Sequence, residues 1–166
     1  MTNVGLRPGS FDPSAFSEKD LPFTASEYQD RLERVMASME QAGIDLLWVT
    51  TPEAVCWLHG FTASWYKGNA PMRDPQCYGV AIHAPSGRYI HFDNPTEEPV
   101  IANTSVSSDN RWLPDREASP NIRFIIDELA REGWLGSTVG MEFWSYVPNR
   151  AISMMFEGAF LAAGCT

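Results

Sequence analysis

The stretch from Thr24 to Phe61 limits what this chain can become more than any other part of it. Thr24 with Glu27 three residues later is a capping-box pattern, in which a hydroxyl and a carboxylate take up backbone N–H groups that a first helical turn leaves unpaired. Tyr28, Leu32, Val35, Met36 and Met39 then recur at helical spacing as one apolar stripe, with Glu27 and Arg31 as a supportive pair outside it. Gly43 is a natural left-handed stop, and Ile44 to Thr50 is a near-continuous apolar run around Asp45, the pattern of a strand buried on both faces. Pro52 suits the first turn of a second helix, which carries Val55, Cys56 and Leu58 and ends at Gly60. A helix, a two-sided strand and another helix in direct succession predict a layered α/β domain.

The remainder repeats that alternation. Residues 1 to 22 hold Gly5, Pro8, Gly9, Pro13 and Pro22 around isolated Phe11 and Phe16, which reads as an arm preceding a domain over 23–166. Cys77 to Ala84 and Arg88 to Asp93 form strands of a hairpin about Pro85-Ser86-Gly87. If Ala84 faces Arg88, then Ile82 opposes Ile90 and Val80 opposes Phe92 on one face, while Ala81, His83, Tyr89 and His91 share the other. His83 and His91 become diagonal neighbours on that pairing, but two histidines alone lack the further ligands that zinc needs. Thr96 is expected to cap a helix to Thr104, Asp109 to Pro114 reads as a short strand, and Ser119 caps a helix over Pro120 to Glu132 that stops at Gly133. Ser137 to Trp144 is a strand, and Pro148 opens a last helix bearing Ile152, Met155, Phe156, Ala159, Phe160 and Ala163. Together these predict a three-layer α/β/α domain around a mixed sheet of five to six strands.

Charge and composition exclude several functions. With 12 basic against 21 acidic side chains the net charge is -9, which repels a phosphate backbone and offers no basic stripe for nucleic acid. An RNase H-like nuclease, which would need acidic metal ligands facing a basic groove, is opposed on the same ground. No apolar run approaches the roughly 20 residues of a membrane span, and residues 1 to 20 lack the pattern of a secretory signal. Cys56, Cys77 and Cys165 are odd in number and far apart, so reduced thiols in a cytoplasmic protein are expected. Motifs of zinc metalloproteases, α/β-hydrolases, P-loops and dinucleotide folds are missing from the sequence.

The order Glu27-Tyr28, Arg31-Leu32, Met39, Gly43-Ile44-Asp45, an apolar strand, Thr51-Pro52-Glu53, Trp57-Leu58 and Gly60-Phe61 resembles the amino-terminal domain of the creatinase, prolidase and Xaa-Pro aminopeptidase family. Gly140-Met141-Glu142 extends the likeness to about residue 164. Ala54, Trp57 and His59 depart from the family's usual asparagine, tyrosine and threonine or serine. The resemblance implies a creatinase/prolidase-type domain with a ribonuclease H-like motif, whose chemistry resides in a separate carboxy-terminal pita-bread domain. No two aspartates here have ten residues between them, as that domain's metal ligands do, so the catalytic domain is expected to lie outside this chain.

By the same resemblance the chain is a non-catalytic half of a C–N hydrolase, inactive alone, with its own catalytic domain and a second subunit as partners. Its cofactors would be none here, and Mn, Co or Zn in the missing domain. The family's substrate-contacting loop follows the Gly-aromatic pair, which points to Trp65, Tyr66, Lys67 and Arg73, with His59 at the mouth of that loop. A guanidinium binds a carboxylate through two parallel bonds and an aromatic wall excludes water, a combination suited to a small zwitterionic or peptide substrate. The alternative is a stand-alone binding domain that uses the same loop on a small ligand or a protein. Glu142 and Asp45 also suggest a carboxylate pair, although a helix cap or turn bond explains each.

Overall fold

The computed structural model describes residues 19–63, 77–143 and 149–166. Its centre is a five-stranded sheet in the order β4-β3-β2-β1-β5, formed by β1 (Leu46–Val49), β2 (Gly79–His83), β3 (Arg88–Asp93), β4 (Asn110–Trp112) and β5 (Val139–Met141). β2 runs antiparallel to both β1 and β3, whereas β1 with β5 and β3 with β4 are parallel, so the sheet is mixed. Helices α1 (Ala25–Ala42), α2 (Pro52–His59) and α3 (Glu98–Thr104) cover one face; α4 (Ala118–Arg131) and α5 (Arg150–Ala162) cover the other. The three-layer α/β/α arrangement expected from the sequence is therefore present.

Local chemistry sets the element ends. Thr24 Oγ1 accepts from Glu27 N at 3.3 Å and Gly43, at φ 67°, closes α1. The second half of the expected box is not made, because the Glu27 carboxylate turns to Arg31 at 2.9 Å. α3 follows a 3₁₀ turn over Pro95–Glu97 that Asn94, two residues before Thr96, caps through its side chain. α4 begins before Ser119: Asp115 accepts from Arg116 N and Glu117 N, and Asn121 bonds both backbone groups of Asp115. α5 starts at Arg150, with Asn149 accepting from Ile152 N.

The hairpin differs from expectation by one residue. His83 pairs with Arg88, Ile82 with Tyr89 and Ala81 with Ile90, because a 3₁₀ turn over Ala84–Ser86 with Gly87 at φ 66° places four residues in the connection rather than three. A one-residue slip moves the cross-strand partners to opposite faces. Val80 and Ile82 therefore pack with α1 to α3, and Ala81, Ile90 and Phe92 with α4 and α5. Both faces of this hairpin are buried, so hydrophobic alternation could not distinguish the two registers.

Candidate functional site

Four strands, β1, β3, β4 and β5, direct their carboxyl ends to one edge of the sheet, and β2 begins there. That edge is where open α/β sheets place ligands. It carries Thr50, Asp93, Leu113 and Glu142, and the described chain exits at Ala63 and returns at Cys77 beside it. Trp65, Tyr66, Lys67 and Arg73, the side chains expected to contact substrate, lie outside the described residues.

The segment leading to that exit is fixed at both ends. At the start of α2, the Glu142 carboxylate accepts from the backbone N–H and hydroxyl of both Thr50 and Thr51. At its close, Gly60 has φ 89°, and an added Cβ would lie 2.5 Å from the Thr104 carbonyl oxygen and 3.0 Å from the Tyr28 hydroxyl. No other residue fits that turn without displacing backbone. Phe61, the next residue, is 1% exposed.

His59 belongs to this support rather than to an open mouth. The last turn of α2 directs its ring inward, where it is 1% exposed, and Nδ1 lies 2.7 Å from Ser105 Oγ. The ring stacks on Tyr89 and sits 4.8 Å, centroid to centroid, from His91. His91 Nε2 is in turn 3.3 Å from Asp93 Oδ2, with both side chains 1% exposed. Burial, and secondarily the neighbouring His91, hold His59 well below the ordinary histidine range. Burial also brings His91 down to about 3, outweighing the favourable contact with Asn110. The pairing of His59 with His91 is invisible in the sequence, because only the fold brings α2 over β3. His83, expected beside His91, is on the opposite face of the sheet and stacks on Trp134 at 4.8 Å.

A cleft of about 610 Å³ opens beside α2, lined by Pro22, Phe23, Tyr28, Arg31, Trp57 and neighbouring residues. Arg31, read from the sequence as part of a solvent-side pair, is only 6% exposed. Its guanidinium bonds Glu27 and the Trp57 carbonyl and lies 4.2 Å from the Phe23 ring centroid, 5.1 Å from Tyr28 and 5.3 Å from Trp57. Such a cation organises the aromatic wall while its charge is largely satisfied.

Asp45 and Glu142 do not form a pair. Asp45 accepts from Thr138 N at 3.0 Å at the start of β1, and Glu142 serves the other end of the same strand. Burial pushes the Cys77 thiol up to about 12, so it packs as an apolar group. Among the described residues no group of three or more His, Cys, Asp or Glu could hold a metal ion. Among the described residues, His59, His91 and Asp93 do not make such a group. No described helix is long and apolar enough to cross a membrane.

Comparison with known proteins agrees with this architecture. An uncharacterised hydrolase/peptidase of Sinorhizobium fredii is 33% identical over 132 residues, covering 76% of this chain and 32% of that protein. Ectoine hydrolase of Halomonas elongata is 28% identical over 134 residues, 76% of this chain and 31% of the relative. The chain thus spans about a third of the length of these curated relatives. Among solved structures, the creatinase/prolidase amino-terminal domain of an X-Pro dipeptidase from Streptococcus pyogenes superposes with a TM-score of 0.61 at 16% identity, over 83% of this chain and 92% of that one. The amino-terminal domain of the cytoplasmic peptidase PepQ from Mycobacterium tuberculosis gives 0.57 at 17% identity, over 83% and 88%. The family described as the creatinase/prolidase N-terminal domain matches residues 31–157, and this chain belongs to it.

Proposed function

We propose that this domain is the non-catalytic amino-terminal part of a C–N hydrolase of the Xaa-Pro peptidase, creatinase or ectoine-hydrolase type. It pairs with a second subunit and lends Trp65, Tyr66, Lys67 and Arg73 to the neighbouring active site. The observation that supports this reading is the sheet edge, where Glu142 holds the start of α2 and the tight turn at Gly60 closes it just before Phe61. The two curated relatives, one named as a hydrolase/peptidase and the other as an ectoine hydrolase, support the reaction class. Arg73 would hold a substrate carboxylate and the aromatics would exclude water around it. His59 contributes from beneath, by packing under Phe61. Any Mn, Co or Zn would belong to the catalytic domain. The name of the cytoplasmic peptidase neighbour supports a cytoplasmic setting.

Two measurements test this. The chain alone, given Xaa-Pro dipeptides, creatine or ectoine with and without manganese, should show no turnover; hydrolysis would overturn the non-catalytic role. In the complete hydrolase, Arg73→Ala should raise KM about tenfold, the loss expected when a charged contact to bound substrate is removed. Unchanged kinetics would take Arg73 out of the site. A stand-alone binding domain is the second reading, favoured by the aromatic cleft around Trp57 and Phe23; it predicts ligand binding by a protein that has no hydrolase partner.

A further inference from the structure

α5 is apolar on both sides. Ile152, Phe156 and Phe160 point inward and are buried in the core with Trp48. Ala151, Met154, Met155, Gly158, Leu161 and Ala162 face outward, with Met154 54% and Leu161 61% exposed. Only Arg150 and Glu157 are charged among the 13 residues of this helix, and Arg150 stands at its first turn, 5.2 Å from the ring centroid of half-exposed Phe143. The outward positions of the longer helices are different: α1 exposes Glu33, Arg34 and Glu40, and α4 exposes Arg123 and Asp127. A helix that is apolar all round is ordinarily covered on every side, and a run of exposed apolar side chains marks a contact surface.

We propose that the outer face of α5 is the docking surface for the part of the same polypeptide that follows it, which buries Met154, Met155 and Leu161. This rests on reading the domain as the amino-terminal part of a longer hydrolase. The chain spans only 32% and 31% of its two curated relatives and matches a family described as an N-terminal domain, so in a protein of that length the remainder would come after α5. Thr166 is laid along β5: its N–H donates to Ser137 O at 3.1 Å, and its carbonyl accepts from Val139 N at 2.8 Å. A segment continuing from there starts close to Leu161, and such a tether holds it at an effective concentration on the order of millimolar. A second copy of this chain has no tether and approaches with a like charge of -9, which opposes contact between two such faces.

Methionine oxidation by dilute hydrogen peroxide, followed residue by residue by mass spectrometry, reports the cover directly, because reaction follows exposure. In this chain Met154 should react fast, half-buried Met36 of α1 more slowly, and Met39, at 3% exposed, slowest. In the complete hydrolase Met154 should slow about tenfold or more while Met36 and Met39 keep their rates. Leu161→Lys should leave the urea midpoint of this chain unchanged, because the side chain is exposed, and should restore fast oxidation of Met154 in the complete hydrolase. If Met154 reacts equally fast in both proteins, the face is left open and the proposal falls. If Met154 of this chain alone becomes protected as its concentration rises, with a dimer seen in sedimentation, the occupant is a second copy and the proposal falls too. Turnover of an Xaa-Pro dipeptide or of ectoine by the complete protein tests the hydrolase reading separately. Protection without turnover keeps the docking surface and removes that reading; turnover without protection keeps the reading and removes the docking surface.

Discussion

The two faces of the sheet solve different problems with adjacent residues. Phe92 points toward α4 and α5 into a cluster with Trp48, Ile125, Leu129 and Phe156, each at most 1% exposed. His91, one position earlier, points the other way to His59 and Asp93, and His59 in turn bonds Ser105. On the α4 and α5 face, the buried polar residues Asn121 and Ser153 bond nearby backbone. On the α1 to α3 face, polar groups reach the middle of the layer. The lesson is a division of labour: one face supplies stability through apolar contact, and the other gives up some of it to polar contacts that hold α2 in place.

The largest test of that division is Phe156→Ala. Phe156 is fully buried, with its ring 4.9 Å from Trp48, and its truncation should cost about 3–5 kcal/mol in urea unfolding. A loss below about 1 kcal/mol would show that this face is not the main store of stability. Gly60→Ala, on the other face, should cost about 2 kcal/mol, from the left-handed φ and the 2.5 Å approach of Thr104 O. A neutral result would mean that α2 is not locked at its end.

A smaller effect, confined to acid, should separate the faces by pH. Because burial sets the folded values of His59 and His91 below the ordinary 6.5, the unfolded chain takes up protons first as pH falls. The stabilisation is fully present above about pH 6.5 and is lost progressively toward the His91 value of about 3. His59→Phe should flatten that acid limb in unfolding curves recorded between pH 7.5 and 4.5; an unchanged limb would remove His59 as a cause. The smallest effect belongs to the surface. Changing Arg88, half exposed and paired with Asp109 and Glu132, to Ala should barely move the urea unfolding midpoint, and less so in high salt.

Much of the fold was readable because local signals coincide with the ends of elements. Thr24, Gly43, Pro52, Gly60 and Gly133 each stand where a helix starts or stops, and the apolar run after Ile44 is a buried strand. What could not be read depends on contacts between distant residues. Arg31 has the spacing of a surface pair, yet α2 and Phe23 close over it. The hairpin register failed where two apolar faces removed the pattern that would fix it. The site is readable only in part: from sequence Glu142 is a carboxylate that a helix cap or turn bond explains, but its four donors, and the meeting of His59 with His91, require the sheet to assemble first.

The position of β5 has a consequence for how the protein is made. β1 pairs with β2 on one side and with β5 on the other, and Glu142 seals the second junction to a residue 92 positions earlier. As the chain emerges from the ribosome, α1, β1, α2 and the β2–β3 hairpin are all outside before β5 exists. Until then β1 presents an open edge, apolar on both faces, of the kind that recruits other strands. Closure by a distant parallel strand is slow, because the ordering of the intervening chain precedes the contacts that reward it. The interval between the synthesis of Val49 and that of Glu142 is therefore when this domain most needs protection from its neighbours on the polysome.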